Sequence, residues 1–385
     1  MFELSAEHLA VQEQVRAFAQ REIEPIVKEI DETGRFPSDI VAKLGAEGYL
    51  GHPLPKKYGG TGKGYLAAAV TYEEIGRVCS SIRGFIAVQL GLVSMCIHDW
   101  GTEEQKQRYL PRLTAGKIIG CYSLTEKNAG SDVANMETVA TPDGDHFVIN
   151  GQKVWITNAN FADVAILFAS VDRSKRHRGI TAFLIEKGTP GFNPAHQKYK
   201  SLGHRAMDHG TINLQNCRVH KSQVLGEVGG GFRVAMGALD HGRLGVAAGC
   251  LGVAQACLDA CVKFANARVQ FGQPIAEFQM IQKTIADIAV ETEAARLLTY
   301  RAAAQKDAGK KNTRETSMAK LYASEAASRA ASNAVTLHGS YGYSNENPVE
   351  RYYRDIKGSE IYEGTSYIQR IIIARDALGI RKLNQ

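Results

Sequence analysis

Between residues 121 and 232 the chain changes texture, and that change constrains its fold more than any other feature. HFVINGQKVWI, DVAILFASV, ITAFLIEKG and GTINLQNCRV follow one another there. They are short runs rich in β-branched and aromatic residues, with turn-forming residues between them. The first reads as two strands joined through Asn150-Gly151, a strong two-residue hairpin signal. On either side the pattern is helical. Leu9, Val11, Val15, Phe18, Ile23, Ile26 and Val27 recur close to the helical period, with Ser5 as N-cap. Thr102, followed by Glu104 and Gln105, starts another helix. Three long helical segments follow the strands, and the first, VAAGCLGVAQACLDACVKFANARV, is rich in the small residues that let helices pack closely. The pattern predicts an α+β protein. Residues 1–120 form an N-terminal helical domain, 121–232 a middle antiparallel β domain of sandwich or barrel type, and 233–385 a C-terminal four-helix bundle. A chain of 385 residues suits two or three cores better than one.

Composition narrows the function classes. The net charge of +6 comes from 46 basic and 40 acidic residues and is spread out, apart from DRSKRHRG at 172–179. That cluster reads as a solvated loop or as a site for an anionic ligand or partner. No basic stripe with interleaved aromatics points to nucleic acid. Seven cysteines without a C-x-x-C pair read as reduced fillers, consistent with a cytoplasmic location. The first 32 residues are too acidic and amphipathic for a signal peptide, and no uninterrupted run of 18 apolar residues predicts a membrane span. The eleven histidines show no metal-ligand spacing, so no metal is expected. G-x-G-x-x-G after a strand and the P-loop pattern are both absent, so any nucleotide is held some other way.

Four stretches carry chemistry. In CYSLTEKNAGSD, Thr125 and Ser131 offer hydroxyls, although N-x-G-S-D is also an ordinary turn. In KVWITNAN, Trp155 and Thr157 share one strand face, which suits a flat aromatic cofactor or a core Trp beside a paired Thr. Arg268 in ARVQFGQPIAEFQ suits a phosphate or a surface ion pair. In SEIYEGTSYIQR, Glu363 stands among apolar residues before Gly364, where a backbone can approach a ligand closely.

These four segments, in this order over essentially the whole chain, resemble the signatures of the acyl-CoA dehydrogenase family. The resemblance implies FAD as cofactor and an acyl-CoA substrate. It also implies an electron-transferring flavoprotein as electron acceptor and a homotetramer. Glu363 takes the place of the catalytic base, and its backbone N–H that of a donor to the thioester oxygen. A subclass places the base two residues after the Asp of ALDHGR, which here is Gly242. By the same resemblance Thr125, Ser131, Trp155 and Thr157 hold FAD. Arg268, Phe271 and Gln279 match positions for its adenine and pyrophosphate half from a neighbouring subunit, and Gly339, in TLHGSYG, matches a further cofactor position. Thr365 and Ser366 match further flavin contacts. Ser131, Asp240 and Arg243 match CoA contacts, with Tyr362 and Gly364 beside the acyl group. Thr336, Ser340 and Tyr367 depart from the family pattern.

Arg83, in SSIRGFIAVQ, falls in the acyl pocket by analogy, within an R-x-x-x-x-V-Q run similar to that of glutaryl-CoA dehydrogenases. A guanidinium there pairs with the distal carboxylate of a dicarboxylic acyl chain, or else turns to an internal acid such as Glu73 or Glu74. Decarboxylating members carry a Glu seven positions earlier, where this chain has Gly76. A short- or medium-chain dehydrogenase with a structural Arg83, a cyclic acyl group and an enoyl-CoA reductase remain alternatives.

Overall fold

The computed structural model describes residues 4–380. Helices α1 (Ala6–Phe18), α2 (Val27–Thr33), α3 (Ser38–Ala46) and α4 (Gly64–Val78) come first. Next, α5 (Ser80–Ile86) runs through a π-helical stretch (Ala87–Ser94) into α6 (Met95–Trp100), and α7 (Glu103–Thr114) follows. The expected caps form: Ser5 accepts from the His8 N–H, and Thr102 and Gln105 complete a reciprocal capping box.

The strands are β1 (Gly120–Ser123), β2 (Val139–Asp143), β3 (His146–Thr157), β4 (Val164–Ser170), β5 (Ile180–Glu186), β6 (Phe192–Lys198), β7 (His209–His220) and β8 (Val224–Leu225). They form one sheet in the order β6-β7-β3-β2-β4-β5-β8, with β1 beside β4. Most pairs are antiparallel; β1 and β2 each run parallel to β4. Asn150-Gly151 is not a hairpin turn. HFVINGQKVWI is a single strand, β3, with its register shifted between Ile149 and Gly151 where it pairs with β7. Gly151 has φ +149° and lies against Thr138, so the glycine serves a bulge. The hairpin lies earlier, between Asp143 and His146, where Gly144 has φ +59°.

The second helical block holds α8 (Gly231–Ala267), α9 (Gln279–Asp307), α10 (Thr313–His338), α11 (Val349–Lys357) and α12 (Ser366–Ala377). A short β-ribbon, β9 (Val269–Gln270) with β10 (Gln273–Pro274), joins α8 to α9. Helix α8 packs against α4, α9 and α10 and reaches β5 of the sheet. Glycines bring it against α4: a Cβ on Gly252 would stand 2.1 Å from the Glu73 carbonyl, and one on Gly76 2.9 Å from the Gly249 carbonyl. Only glycine permits that approach.

Helices 80–100 and 231–267 are long and apolar enough on average to cross a membrane, although neither is an uninterrupted apolar run. Their apolar windows are 100% and 72% buried inside the protein, which makes them core helices. Gln89 joins the first helical block to the sheet. Its Nε2 donates to the carbonyls of Leu113 and Ile118, and its Oε1 accepts from the Gly120 N–H.

Candidate active site

Helix α12 starts at Thr365, whose Oγ1 accepts from the Ile368 N–H at 3.3 Å. In the turn before it, Glu363 has φ +54° and Gly364 φ +90°. For a non-glycine residue the left-handed region costs about 1–3 kcal/mol and persists only where the surroundings impose it. Here three side chains impose it. Arg243 Nε donates to the Glu363 carbonyl at 3.3 Å, and Lys320 Nζ and Gln369 Nε2 each donate to the Gly364 carbonyl at 2.8 Å. Arg243 is braced by Asp240 at 2.9 Å, whose other oxygen accepts from Thr313 at 2.7 Å. Asp240 and Arg243 thus support the turn directly.

The Glu363 N–H has no acceptor among the described residues, and its Oε2 is sealed from solvent without a hydrogen-bond partner. One residue therefore presents an uncommitted donor and an uncommitted acidic oxygen. Burial pushes the carboxyl up to about 7, against the opposing pull of Arg83, Lys320 and Arg243. A Cβ on Gly242 would lie 2.0 Å from this Oε2 and 2.7 Å from Leu92 Cδ2. The position that carries the base in the other subclass therefore borders the space the Glu363 carboxylate fills in this structure.

Arg83 is 2% exposed. Its Nη2 donates to the Tyr362 hydroxyl at 3.0 Å and to Ser80 Oγ at 3.4 Å, while its Nε has no partner. The guanidinium is thereby tied to the residue next to Glu363. Gly249 makes room for it, since a Cβ there would stand 2.3 Å from Nε. Arg83 does not turn to Glu73 or Glu74. Glu73 pairs with Arg296 at 3.2 Å and accepts from Tyr300; Glu74 pairs with Arg16 at 2.8 Å and lies 3.7 Å from Arg77. Gly76 packs on the α8 backbone at Gly249, which leaves no space for a glutamate.

Trp155 is 52% exposed, with φ +57°, and stacks on Tyr199 at 4.1 Å, so it is not a core tryptophan. Two residues on, Thr157 Oγ1 lies 3.1 Å from His209 Nδ1. The Thr125 carbonyl accepts from the Val154 N–H, bringing that segment beside the same strand. Ser131 is exposed, and its neighbour Asp132 lies 3.7 Å from Arg176 of the basic loop. A strained backbone holding an open indole beside a hydroxyl fits the flat ring of a flavin.

The other expected cofactor contacts lie elsewhere. Arg268 caps α8 at its far end, 26 residues past Gly242, about 39 Å along the axis. Its guanidinium sits 5.5 Å from the Tyr341 ring, and Phe271 beside it is 95% exposed. Gln279 is exposed at the start of α9, and Gly339, with φ +60°, ends α10. Ser366 is buried and its hydroxyl lacks a partner, whereas Thr365 is occupied in capping α12.

Sequence reasoning did not find Lys320, Gln369, His204 or His209. Lys320 and Gln369 look like ordinary polar residues of amphipathic helices, and only packing turns them to the Glu363–Gly364 turn. His204 and His209 lie in a loop and at a strand start with no distinguishing local pattern.

Family models for the N-terminal, middle and C-terminal domains of acyl-CoA dehydrogenase match residues 5–117, 121–217 and 229–378. The chain is 43% identical over 373 residues to a short-chain specific acyl-CoA dehydrogenase of Clostridium acetobutylicum, covering 97% of this chain and 98% of that one. It is also 43% identical over 389 residues to a glutaryl-CoA dehydrogenase of Desulfococcus multivorans, covering both chains completely. A solved complex of glutaryl-CoA dehydrogenase with glutaryl-CoA superposes with a TM-score of 0.96 at 42% identity, covering 100% of this chain and 98% of that one. The chain belongs to the acyl-CoA dehydrogenase family of FAD-dependent oxidoreductases.

Proposed function

We propose that this protein removes a proton and a hydride from the α and β carbons of a CoA thioester whose acyl chain ends in a carboxylate. The observation that carries the substrate class is Arg83: a buried guanidinium, joined to Tyr362 next to Glu363, that feels the Glu363 charge but forms no ion pair among the described residues. A buried charge of this kind is costly until a counter-ion reaches it. A glutaryl-like tail supplies that counter-ion, whereas an aliphatic tail leaves the charge uncompensated.

Glu363 acts as the base. Its raised proton affinity moves it toward what abstraction from a weak carbon acid needs, and its partnerless Oε2 is available to take the proton. As the proton leaves, negative charge gathers on the thioester oxygen, where the uncommitted Glu363 N–H serves as donor. FAD, when bound, supplies the acceptor for the hydride from the β carbon. Trp155, Thr157, Thr125 and Ser131 hold its flavin end, with Ser366 and Thr365 nearby. Asp240 and Arg243 fix the base from below, and Ser131 and Gly364 face the CoA arm. Gly76 in place of an acid favours desaturation without loss of the carboxylate.

Arg268, at the far end of α8 from Gly242, and Phe271, Gln279 and Gly339 serve a neighbouring subunit's flavin. The exposed Phe271, Met280, Tyr343 and Tyr367 supply apolar surface for that assembly, a homotetramer. An electron-transferring flavoprotein reoxidises the enzyme. Seven free cysteines, all buried, agree with a cytoplasmic setting.

Two experiments test this reading. Glu363→Gln is expected to retain FAD while turnover falls by about 10³-fold; retained turnover removes Glu363 as base. Turnover of glutaryl-CoA is expected to exceed that of butyryl-CoA, with Arg83→Ala reversing the order. A preference for butyryl-CoA that Arg83→Ala leaves unchanged refutes the dicarboxylate reading.

A further inference from the structure

We propose that Ser80 and His204 are specificity-determining positioning residues: a hydroxyl–imidazole pair that locks the Arg83 guanidinium in one orientation for the distal carboxylate of the acyl chain. This rests on the dicarboxylate reading above.

The pair is built into the core. Ser80 is 3% exposed and His204 5%. His204 Nε2 lies 2.9 Å from Ser80 Oγ, and the same oxygen accepts from Arg83 Nη2 at 3.4 Å. The loop that carries His204 is held against α11. Its N–H donates to Asp355 Oδ1 at 2.6 Å, and a Cβ on the preceding Gly203 would stand 2.3 Å from the Arg354 carbonyl. These contacts hold His204 at φ +53°, a conformation a non-glycine residue keeps only under constraint. The backbone is strained in the setting that puts the imidazole on Ser80.

The proton count fixes the direction of the Arg83–Ser80 bond and permits the relay to continue to His204. A guanidinium only donates, so Ser80 Oγ is the acceptor toward Arg83. Its single proton is then free to go to His204 Nε2 when the imidazole is neutral with its proton on Nδ1, and this is the tautomer the relay uses. Burial and the nearby Arg83 charge both hold His204 well below the usual imidazole range, which keeps the ring neutral. Ser80 and Tyr362 together occupy Nη2. With that corner pinned, the planar guanidinium cannot swing, and its remaining donors keep one direction. His204 never needs to touch substrate.

The experiment compares glutaryl-CoA with butyryl-CoA on the FAD-loaded enzyme. His204→Leu removes the acceptor and is expected to lower the glutaryl-to-butyryl ratio of kcat/KM about tenfold, mainly through KM for glutaryl-CoA. His204→Gln, which keeps an acceptor, is expected to restore most of the ratio. Ser80→Ala is expected to match His204→Leu, and the double variant to be no worse than either alone. An equal loss on both substrates, failure of Gln to rescue, or additive losses overturns the proposal. If His204→Leu does not fold, Ser80→Ala, which deletes one oxygen, decides alone: an unchanged ratio overturns it. Arg83→Ala distinguishes the two levels. A ratio that Arg83→Ala collapses but Ser80→Ala leaves intact refutes the relay only; a ratio that Arg83→Ala leaves intact refutes the dicarboxylate reading as well.

Discussion

Lys153, Lys320 and Arg83 are fully enclosed cations among the described residues, and the chain treats the first and the last of them differently. Lys153 on β3 is 0% exposed; its Nζ donates to Glu126 at 2.6 Å and to the Leu124 carbonyl at 3.1 Å. Glu126 in turn accepts from the Thr138 N–H. That charge is answered within the fold. Arg83 is as deeply placed, but its acceptors are two neutral hydroxyls and its Nε has none. The potential partners, Glu73 and Glu74, are taken by Arg296 and Arg16. One buried charge is structural because its counter-ion is part of the chain. The other has no ion-pair partner among the described residues and lies beside Tyr362 and Glu363.

The contrast breaks most severely at Lys153. Lys153→Met strands the Glu126 carboxylate and is expected to cost about 3–5 kcal/mol in denaturant unfolding. The glutaryl-to-butyryl preference should be unaffected. Arg83→Met should do the reverse: stability within about 1 kcal/mol of the parent or higher, and a glutaryl-to-butyryl ratio lower by about 100-fold. If both substitutions destabilise equally, Arg83 is structural and the contrast fails. Gly249→Ala sharpens it more gently. The added methyl displaces the Arg83 Nε side, so the ratio should fall about tenfold while the α4–α8 contact loosens by about 1–3 kcal/mol.

The smallest effect is one of sign. Glu363 has its carboxyl raised from 4.5 to about 7, so its contribution to stability is full below 4.5 and is lost as pH rises toward 7. Glu363→Gln should therefore raise the melting temperature at pH 8 and change it little at pH 4.5. In the unmodified enzyme, kcat/KM should rise through pH 7 as the base ionises.

The order of helical, strand and helical blocks was legible because periodicity is local: 3.6 residues on one side of the switch, two on the other. The helix caps were legible for the same reason. Asn150-Gly151 was misread because a bulge and a hairpin ask for the same kind of glycine. The distinction lies in whether β7 continues alongside, and β7 is over 60 residues away in sequence. Trp155 was ambiguous because exposure cannot be read from alternation on a strand with two register shifts.

By itself the sequence determined which residues have chemistry to offer: an acid before a glycine, an indole beside a hydroxyl, an arginine in an apolar helix. Only the tertiary structure decided which of those groups were already satisfied. It gave Glu73 and Glu74 to other arginines and Lys153 to Glu126, and it left Glu363 Oε2 and Arg83 Nε without partners. It also placed Gly242 directly beside the Glu363 carboxylate, in the space a Cβ would share with it. The physical reason is that composition along the chain sets donors, acceptors and charges. Whether each is satisfied depends on groups hundreds of residues away, and the polar groups left unsatisfied in the interior are the ones available to a ligand.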